Sequence, residues 1–248
     1  MNKIKLGLNG TYGKMGLSIQ EAVHDSDDFD LVAKIGKNDP KEQIIKYCNQ
    51  CDIIIDFSTI NGFESLIESV KNSNAKLLIG TTGLNEKHFA QLKDIAKNRA
   101  VLYAYNTSLG PNLVAQMAAN AAKILKQYDV EILEMHHRYK KDAPSGTALM
   151  IGQEIAAAKG INFNETAVFN RNNNDQRSNN EIGFASIRAG GIYGDHEVIY
   201  ANDHEIITIG TCALSRQAFS QGALFAAKWL YKQPSGFYSM KDVIGNLL

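Results

Sequence analysis

A short apolar strand that runs straight into evenly spaced glycines constrains this chain more than any other feature. KIKLGLNG alternates, with Ile4, Leu6 and Leu8 on one side. GTYGKMG follows with Gly10, Gly13 and Gly16, and then GKMGLSIQEAVH repeats Met15, Ile19 and Val23 at helical spacing. Strand, glycine turn and helix in that order let a backbone approach a pyrophosphate, which the helix N-terminus then stabilises. The turn predicts a dinucleotide site built from Gly10, Thr11, Tyr12, Gly13, Lys14 and Met15; the competing reading is a glycine-rich turn with no ligand. The spacing is G-x-x-G-x-x-G, so Tyr12 stands where the second glycine of the usual G-x-G-x-x-G is found.

FDLVAKIG reads as the second strand. An Asp or Glu at its end ordinarily bonds the adenosine ribose hydroxyls. Here the end is Gly36-Lys37, with no acid before Asp39. A lysine there would welcome a 2′-phosphate, so NADPH is expected to serve at least as well as NADH. Helices over KEQIIKYCNQ, NGFESLIESVKNS and NEKHFAQLKDIAKN then alternate with strands CDIIIDF, KLLIGTTG and AVLYAYN. This alternation predicts an α/β fold with a doubly wound parallel sheet. Ligands on such sheets lie beyond the carboxyl ends of the strands. Phe57, then Gly80, Thr81 and Thr82, then Ala104, Tyr105, Asn106 and Thr107 all fall there, as walls for a nicotinamide or as plain tight turns.

After Ser108-Leu109-Gly110 the alternation changes, and a helix over PNLVAQMAANAAKILKQY opens a second domain. VEILEM then reads as a strand leading into HHRYKKDAPSGT. Side chains on a strand point alternately to its two faces, so His136 and His137 either lie past its end or have different tasks. Lys140 follows, and Ser145, Gly146 and Thr147 open an Ala/Leu-rich helix that Gly160 ends. An imidazole, an ammonium and free N–H groups at a helix start suit protonation of a bound anion. The Asn-rich stretch NFNETAVFNRNNNDQRSNNEIG reads as a long loop with a disordered tip. IGFASIRAGGIYGDHEVIYANDHEIITIGTCAL reads as consecutive antiparallel strands that, with the strand ending at His136, could make one open mixed sheet. QAFSQGALFAAKWLYKQ is a final helix, stopped by Pro234-Ser235-Gly236.

Bulk properties exclude several classes. Lys plus Arg and Asp plus Glu both number 26 in 248 residues, which offers no basic excess for nucleic acid or an anionic membrane. There is no apolar run of membrane length, and MNKIKLGLNG is too quickly interrupted for a signal peptide. Three cysteines suit a reducing cytoplasm rather than a disulfide framework. Cys48 and Cys51, without a second pair, read as core rather than as a metal site.

GTYGKMG, DFS, GTTG, the strand end at Asn106, EMHHRYKKDAPSGTA, IGFASIRAGGIYGDHEV, SRQAF and GFYSMKDV together resemble the dihydrodipicolinate reductase family, also called 4-hydroxy-tetrahydrodipicolinate reductase, over almost the full length. The resemblance implies a Rossmann-type domain over 1–107 and 217–248, and a mixed-sheet domain over 108–216 that binds substrate and assembles homotetramers. It implies NADH or NADPH as coenzyme and a small cyclic dicarboxylate as substrate. His136 matches the general acid/base, Lys140 a second proton donor, and His137, Ser145, Gly146 and Thr147 the residues around the substrate. Lys37 matches a basic position at the adenosine end, whereas Gly36 replaces an acid, which weakens the case for strong NADH preference. Closure of the two domains is expected to bring coenzyme and substrate together. A dinucleotide-sensing protein without catalysis, a hydrolase using Ser145 and an imine reductase for another precursor are the alternatives; the absence of G-x-S-x-G weighs against the hydrolase.

Overall fold

The structure, a computed structural model, describes residues 3–171 and 176–245. The described residues divide into two compact units, one comprising 3–108 and 216–245, the other the rest, within 109–215.

In the first unit, strands β1 (Ile4–Asn9), β2 (Phe29–Ile35), β3 (Ile53–Asp56), β4 (Lys76–Ile79), β5 (Ala100–Tyr103) and β11 (Gly236–Tyr238) form a six-stranded sheet in the order β11-β5-β4-β3-β1-β2. All its pairings are parallel. The middle strands β3, β4 and β5 are almost wholly buried and correspondingly apolar, as a sheet covered on both faces requires. Helices α1 (Lys14–His24), α2 (Lys41–Cys48), α3 (Ile60–Ser69) and α4 (Glu86–Ile95) connect them. Thr59 caps α3 by accepting from Gly62 N, and Asn85 caps α4 by accepting from His88 N.

Helix α8 (Gln217–Tyr231) belongs to this unit, with Ala223, Ala226, Ala227 and Leu230 buried. Phe219 is only half-buried. Beneath its C-terminus the Lys76 ammonium donates to the carbonyls of Leu230, Tyr231 and Gln233, at 3.3, 2.6 and 2.6 Å. These carbonyls lie at and just past the helix end, so β4 supplies a cationic cap there. The short edge strand β11 and helix α9 (Met240–Ile244) are not legible in the sequence, because three residues beyond a Pro-Ser-Gly stop carry no period.

In the second unit, β6 (Asp129–His136), β7 (Ala167–Val168), β8 (Ile182–Arg188), β9 (Asp195–Ala201) and β10 (Ile206–Cys212) form a five-stranded sheet in the order β10-β9-β6-β8-β7. Helices α5 (Leu109–Ile124) and α6 (Gly146–Lys159) pack on one face through Val114, Ala118, Ile151 and Ile155. The sheet is mixed as expected, but β8 and β9 are not neighbours. β6 lies between them, parallel to β8 and antiparallel to β9. Adjacent runs in sequence suggest a hairpin; the Ala189–Gly194 connection instead wraps the carboxyl end of β6, with Ala189 N donating to His136 O at 2.9 Å. Only β9 and β10 make the expected hairpin.

The Asn-rich stretch also differs from a plain loop. It contains α7 (Phe163–Thr166) and β7, and Arg171 and Arg177 both pair with Glu131 on β6. Polar composition hides these, since only a few apolar residues, Phe163 and Ala167 among them, pack on the core and ion pairs supply much of the rest. The tip expected to be disordered includes 172–175, which lie outside the described residues.

Candidate active site

The order of the first sheet reverses between β1 and β3, and the glycine turn lies there, beyond the carboxyl ends of both. Gly10 and Thr11 both donate their N–H groups to Ile35 O, at 3.0 and 3.3 Å, so the turn hangs from the end of β2. Gly10 has φ +82°, and a Cβ there would fall on the backbone of Phe57. A Cβ on Gly16 would fall on the carbonyl of Gly10. Both glycines are therefore required for close packing of turn, strand and helix. Gly13 is the N-cap of α1 and offers no side-chain cap. The amides of Lys14 and Met15 are left without an intrahelical acceptor, in a position that receives phosphate well. A dinucleotide pyrophosphate fits this cradle. Tyr12, Lys14 and Lys37 are exposed, and Thr11 is fully buried.

Asp56 ties the neighbouring strand ends together. Its carboxyl is wholly buried and accepts from Asn9 Nδ2 at 2.9 Å, Ser58 N at 3.1 Å and Thr81 Oγ1 at 2.8 Å. Thr81 Oγ1 in turn accepts from Ser58 N at 3.0 Å. Thr81 thus spends its side chain on structure, and the Phe57 ring packs against Gly80. Thr107 does likewise, donating to Phe219 O at 2.7 Å, and Ala104 is buried. Thr82 and Tyr105 are exposed; Asn106 Oδ1 accepts from Ser108 N at 2.9 Å.

Burial pushes the Asp56 carboxyl up to about 6, against the opposing hydrogen bonds from Ser58, Thr81 and Asn9. A carboxyl raised by folding stabilises below its unfolded value, and that contribution is lost as pH rises through the folded value. The melting temperature of the wild type relative to Asp56→Asn should fall between about pH 4 and pH 6. A flat difference across that range, read by differential scanning fluorimetry, would show that Asp56 does not titrate there.

In the second unit the register builds the site. Val130, Ile132, Glu134 and His136 alternate onto the helix-covered face of β6, where their neighbours are Ile182, Phe184, Ser186 and Arg188 on β8. On the other side stand Tyr200, Val198 and His196 of β9. One end of this face is apolar core; the carboxyl end collects Glu134, His136, Arg188 and His196. β6 ends at His136, so the two histidines separate: His136 is buried, and His137 begins the following turn, where Lys140 N donates to His137 O at 3.1 Å.

Glu134 is the hub. Its side chain is 0% exposed. Arg188 grips both oxygens, at 2.9 and 2.7 Å, and Ser145 N donates to Oε1 at 3.2 Å. Oε2 lies 2.6 Å from His136 Nδ1. Burial alone would raise the Glu134 carboxyl, but the bonds from Arg188, Ser186 and His136 outweigh it and hold it at about 2. Glu134 is consequently an anion at neutral pH, which fixes the His136 proton on Nδ1 and leaves Nε2 as the exchanging position. Gly194 adjoins that nitrogen: a Cβ there would stand 3.2 Å from Nε2.

Desolvation lowers the His136 pKa below the usual imidazole value, opposed by Glu134 and assisted by Lys140 and Arg188. His196, edge-on to His136 at 5.1 Å, is pushed down to about 4 chiefly by burial, with His136, Lys140 and Arg188 adding to the shift and Glu134 opposing it. Lys140 pairs with Asp142 at 2.8 Å. Ser145 is the N-cap of α6, accepting from Ala148 N at 3.1 Å, with Oγ also 3.0 Å from His196 Nε2. Being 2% exposed and committed to the cap, it is poorly placed as a nucleophile. Gly146 is exposed with open space around its Cα, and Thr147 follows it in the first turn of α6. Both belong to the first turn of α6.

Glu134, Arg188 and His196 escaped sequence reasoning. Glu134 was visible two residues before His136 on the same strand face. Arg188 and His196 become neighbours only once β6 inserts between β8 and β9. Among the described residues no group of three or more His, Cys, Asp or Glu side chains is arranged to hold a metal ion.

Comparison with known proteins bears on family and fold. The family model described as dihydrodipicolinate reductase, N-terminus, matches residues 4–107, and the one described as dihydrodipicolinate reductase, C-terminus, matches 110–244. The chain is 45% identical over 240 residues to the 4-hydroxy-tetrahydrodipicolinate reductase of Rickettsia rickettsii (strain Sheila Smith), covering 97% of this chain and 98% of that protein. It is 41% identical over 253 aligned positions to the enzyme of that name from Zymomonas mobilis, covering 98% of each. Its fold is similar to that of a dipicolinate-bound dihydrodipicolinate reductase from Paenisporosarcina sp. TG-14, with TM-score 0.77, 21% identity and full coverage of both chains. C. glutamicum DAP dehydrogenase in complex with DAP shares the fold less closely, with TM-score 0.57, 13% identity and coverage of 96% of this chain and 93% of that one. With both halves matched in order by the family models, and a relative 45% identical over nearly the whole chain, the chain belongs to the dihydrodipicolinate reductase family.

Proposed function

We propose that this protein reduces 4-hydroxy-tetrahydrodipicolinate to tetrahydrodipicolinate in the diaminopimelate route of lysine biosynthesis, with His136 as the proton donor. The observation that carries the mechanism is the Glu134–His136 contact at 2.6 Å, beside Lys140 and the open first turn of α6. The reduced nicotinamide, when bound, supplies hydride to ring carbon four of the dehydrated substrate. The residues of this chain do the rest. The amides of Gly146 and Thr147 receive a substrate carboxylate through charge-assisted bonds. His137 contacts the substrate, and Ser145 shapes the turn as its cap. His136 Nε2 delivers a proton to the carbon next to the one reduced, and Lys140 holds the dianion and assists the proton.

The coenzyme cradle is Gly10 to Met15, with Phe57, Gly80 to Thr82 and Ala104 to Thr107 at the nicotinamide end. Lys37 at the end of β2 favours NADPH. Loss of nicotinamide absorbance on mixing with freshly made dihydrodipicolinate synthase product tests the reaction. Coenzyme binding without oxidation would instead favour a sensing role.

Lys140→Ala is expected to raise KM and lower kcat together, each by about tenfold or more, since one side chain serves both dianion and proton. Steady-state kinetics that leave both unchanged would make Lys140 a surface residue.

Homotetramers are part of the same reading. α5 and α6 cover only one face of the second sheet. On the other, Leu133, Met135, Ile187 and Ile199 point outward with Ile206, which is 70% exposed. Covering that face is a reason to assemble. Light scattering after size exclusion should give four times the 27.3 kDa chain mass; a monomer would end this part. A cytoplasmic location suits the unpaired cysteines. No helix among the described residues is long and apolar enough to cross a membrane.

A further inference from the structure

We propose that Tyr12 and Gly36 form one unit, an aromatic face laid across the end of β2 that holds the adenosine end of the coenzyme in place of the missing acid, with Lys37 left to select a 2′-phosphate. This rests on the coenzyme reading above and names the residues that set its specificity.

The glycine turn hangs from Ile35 O through two amides, and this brings Tyr12 beside Gly36. A Cβ built on Gly36 would lie 2.7 Å from Tyr12 Cε2 and 3.1 Å from Cδ2. The ring therefore rests on the backbone at 36, in the space a longer side chain would need. Tyr12 itself is 77% exposed, so the rest of the ring is open. In a doubly wound sheet this corner, between the first glycine turn and the end of the second strand, is where the adenosine ribose lies. An open aromatic face is suited to stack on a base or to pack against its sugar.

The nearest acid does not replace the missing one. Asp39 Oδ2 accepts from Gly36 N at 2.8 Å, and Asp39 N donates back to Gly36 O at 3.3 Å, so residues 36–39 close on themselves. A carboxylate so engaged is a poor partner for two ribose hydroxyls. Lys37, next in the chain, is exposed and makes no ion pair among the described residues. A free ammonium with no competing acid favours a phosphate over a hydroxyl at the 2′ position. Tyr12 at the second glycine and Gly36 at the acid are two departures from the usual pattern that meet at one point, where the ring occupies the space over the glycine.

Calorimetric titration with adenosine 2′,5′-bisphosphate, 5′-AMP, NADPH and NADH tests this without turnover. The wild type should bind the 2′,5′-bisphosphate about tenfold or more tighter than 5′-AMP. Tyr12→Ala should weaken both fragments by about tenfold and leave their ratio unchanged, because the ring serves the adenosine and not the phosphate. Tyr12→Phe should stay within about twofold of the wild type, and Lys37→Ala should bring the ratio close to unity. Gly36→Glu should weaken 5′-AMP, and adding Tyr12→Ala to it should restore binding above that of Tyr12→Ala alone. Equal binding by Tyr12→Ala and the wild type, or gain of 5′-AMP binding by Gly36→Glu with Tyr12 present, would overturn the proposal. Failure of the wild type to bind any of the four ligands would overturn the coenzyme reading instead.

Discussion

His136→Gln is expected to lower kcat by about two to four powers of ten, with a much smaller change in KM. The substitution keeps a polar side chain at the carboxyl end of β6 but removes a group able to take up and hand over a proton near neutral pH. Substrate contacts that do not involve Nε2 persist, so binding is largely retained. The pH dependence supplies a second reading. In the free protein, desolvation keeps His136 below the usual imidazole value, so it is mostly neutral at pH 7. A dianionic substrate beside it favours the imidazolium and raises that value. The alkaline limb of kcat, which reports the complex, should lie at higher pH than that of kcat/KM, which reports the free enzyme. Near-normal turnover by the variant, or coincident limbs, would remove His136 from proton delivery.

How far this chemistry was legible beforehand follows from what kind of order each part uses. The first unit was readable because local period and glycine spacing specify it: Ile4, Leu6 and Leu8 alternate, and Gly10, Gly13 and Gly16 mark a turn that few other structures need. Ser145 and Gly160 likewise bracket α6 in the structure, as cap and as left-handed terminus with φ +69°. The second unit is held by contacts between distant residues. Arg188 reaches Glu134 across 54 positions, and Ser145 meets His196 across 51. No window of sequence displays such pairs, and the insertion of β6 between β8 and β9 has no local marker. The same limit explains Asp56. DFS signals a strand end, yet the joining of Asn9, Ser58 and Thr81 by one buried carboxyl depends on the strand order β4-β3-β1. Sequence thus pointed to the groups proposed to meet ligands, and the fold added the groups that hold those in place.

Glu134→Gln should be nearly as damaging as loss of the histidine itself, although Glu134 has no surface with which to touch a substrate. Its negative charge does two things at once. By accepting from Nδ1 it fixes the tautomer and stabilises the imidazolium, and by accepting from Ser145 N it anchors the turn that opens α6. An amide cannot stabilise the cation as a carboxylate does, so the His136 pKa should fall further and less of the donor form should exist at pH 7. Loss of an orienting carboxylate behind a catalytic histidine costs up to about four powers of ten in kcat. The alkaline limb of kcat should move toward acid, an effect that mere loosening of the fold would not produce. Arg188 would also lose its ionic partner, at a cost of about 3 kcal/mol in stability. The acid side follows with a definite sign. Glu134 is depressed to about 2 in the folded protein, so its contribution is complete above the unfolded value of 4.5 and is lost as pH falls toward 2. The variant should lack that part of the acid sensitivity. A Glu134→Gln protein with wild-type kcat and an unmoved alkaline limb would show that His136 needs no partner, and that the buried Glu134–Arg188 pair serves the fold alone.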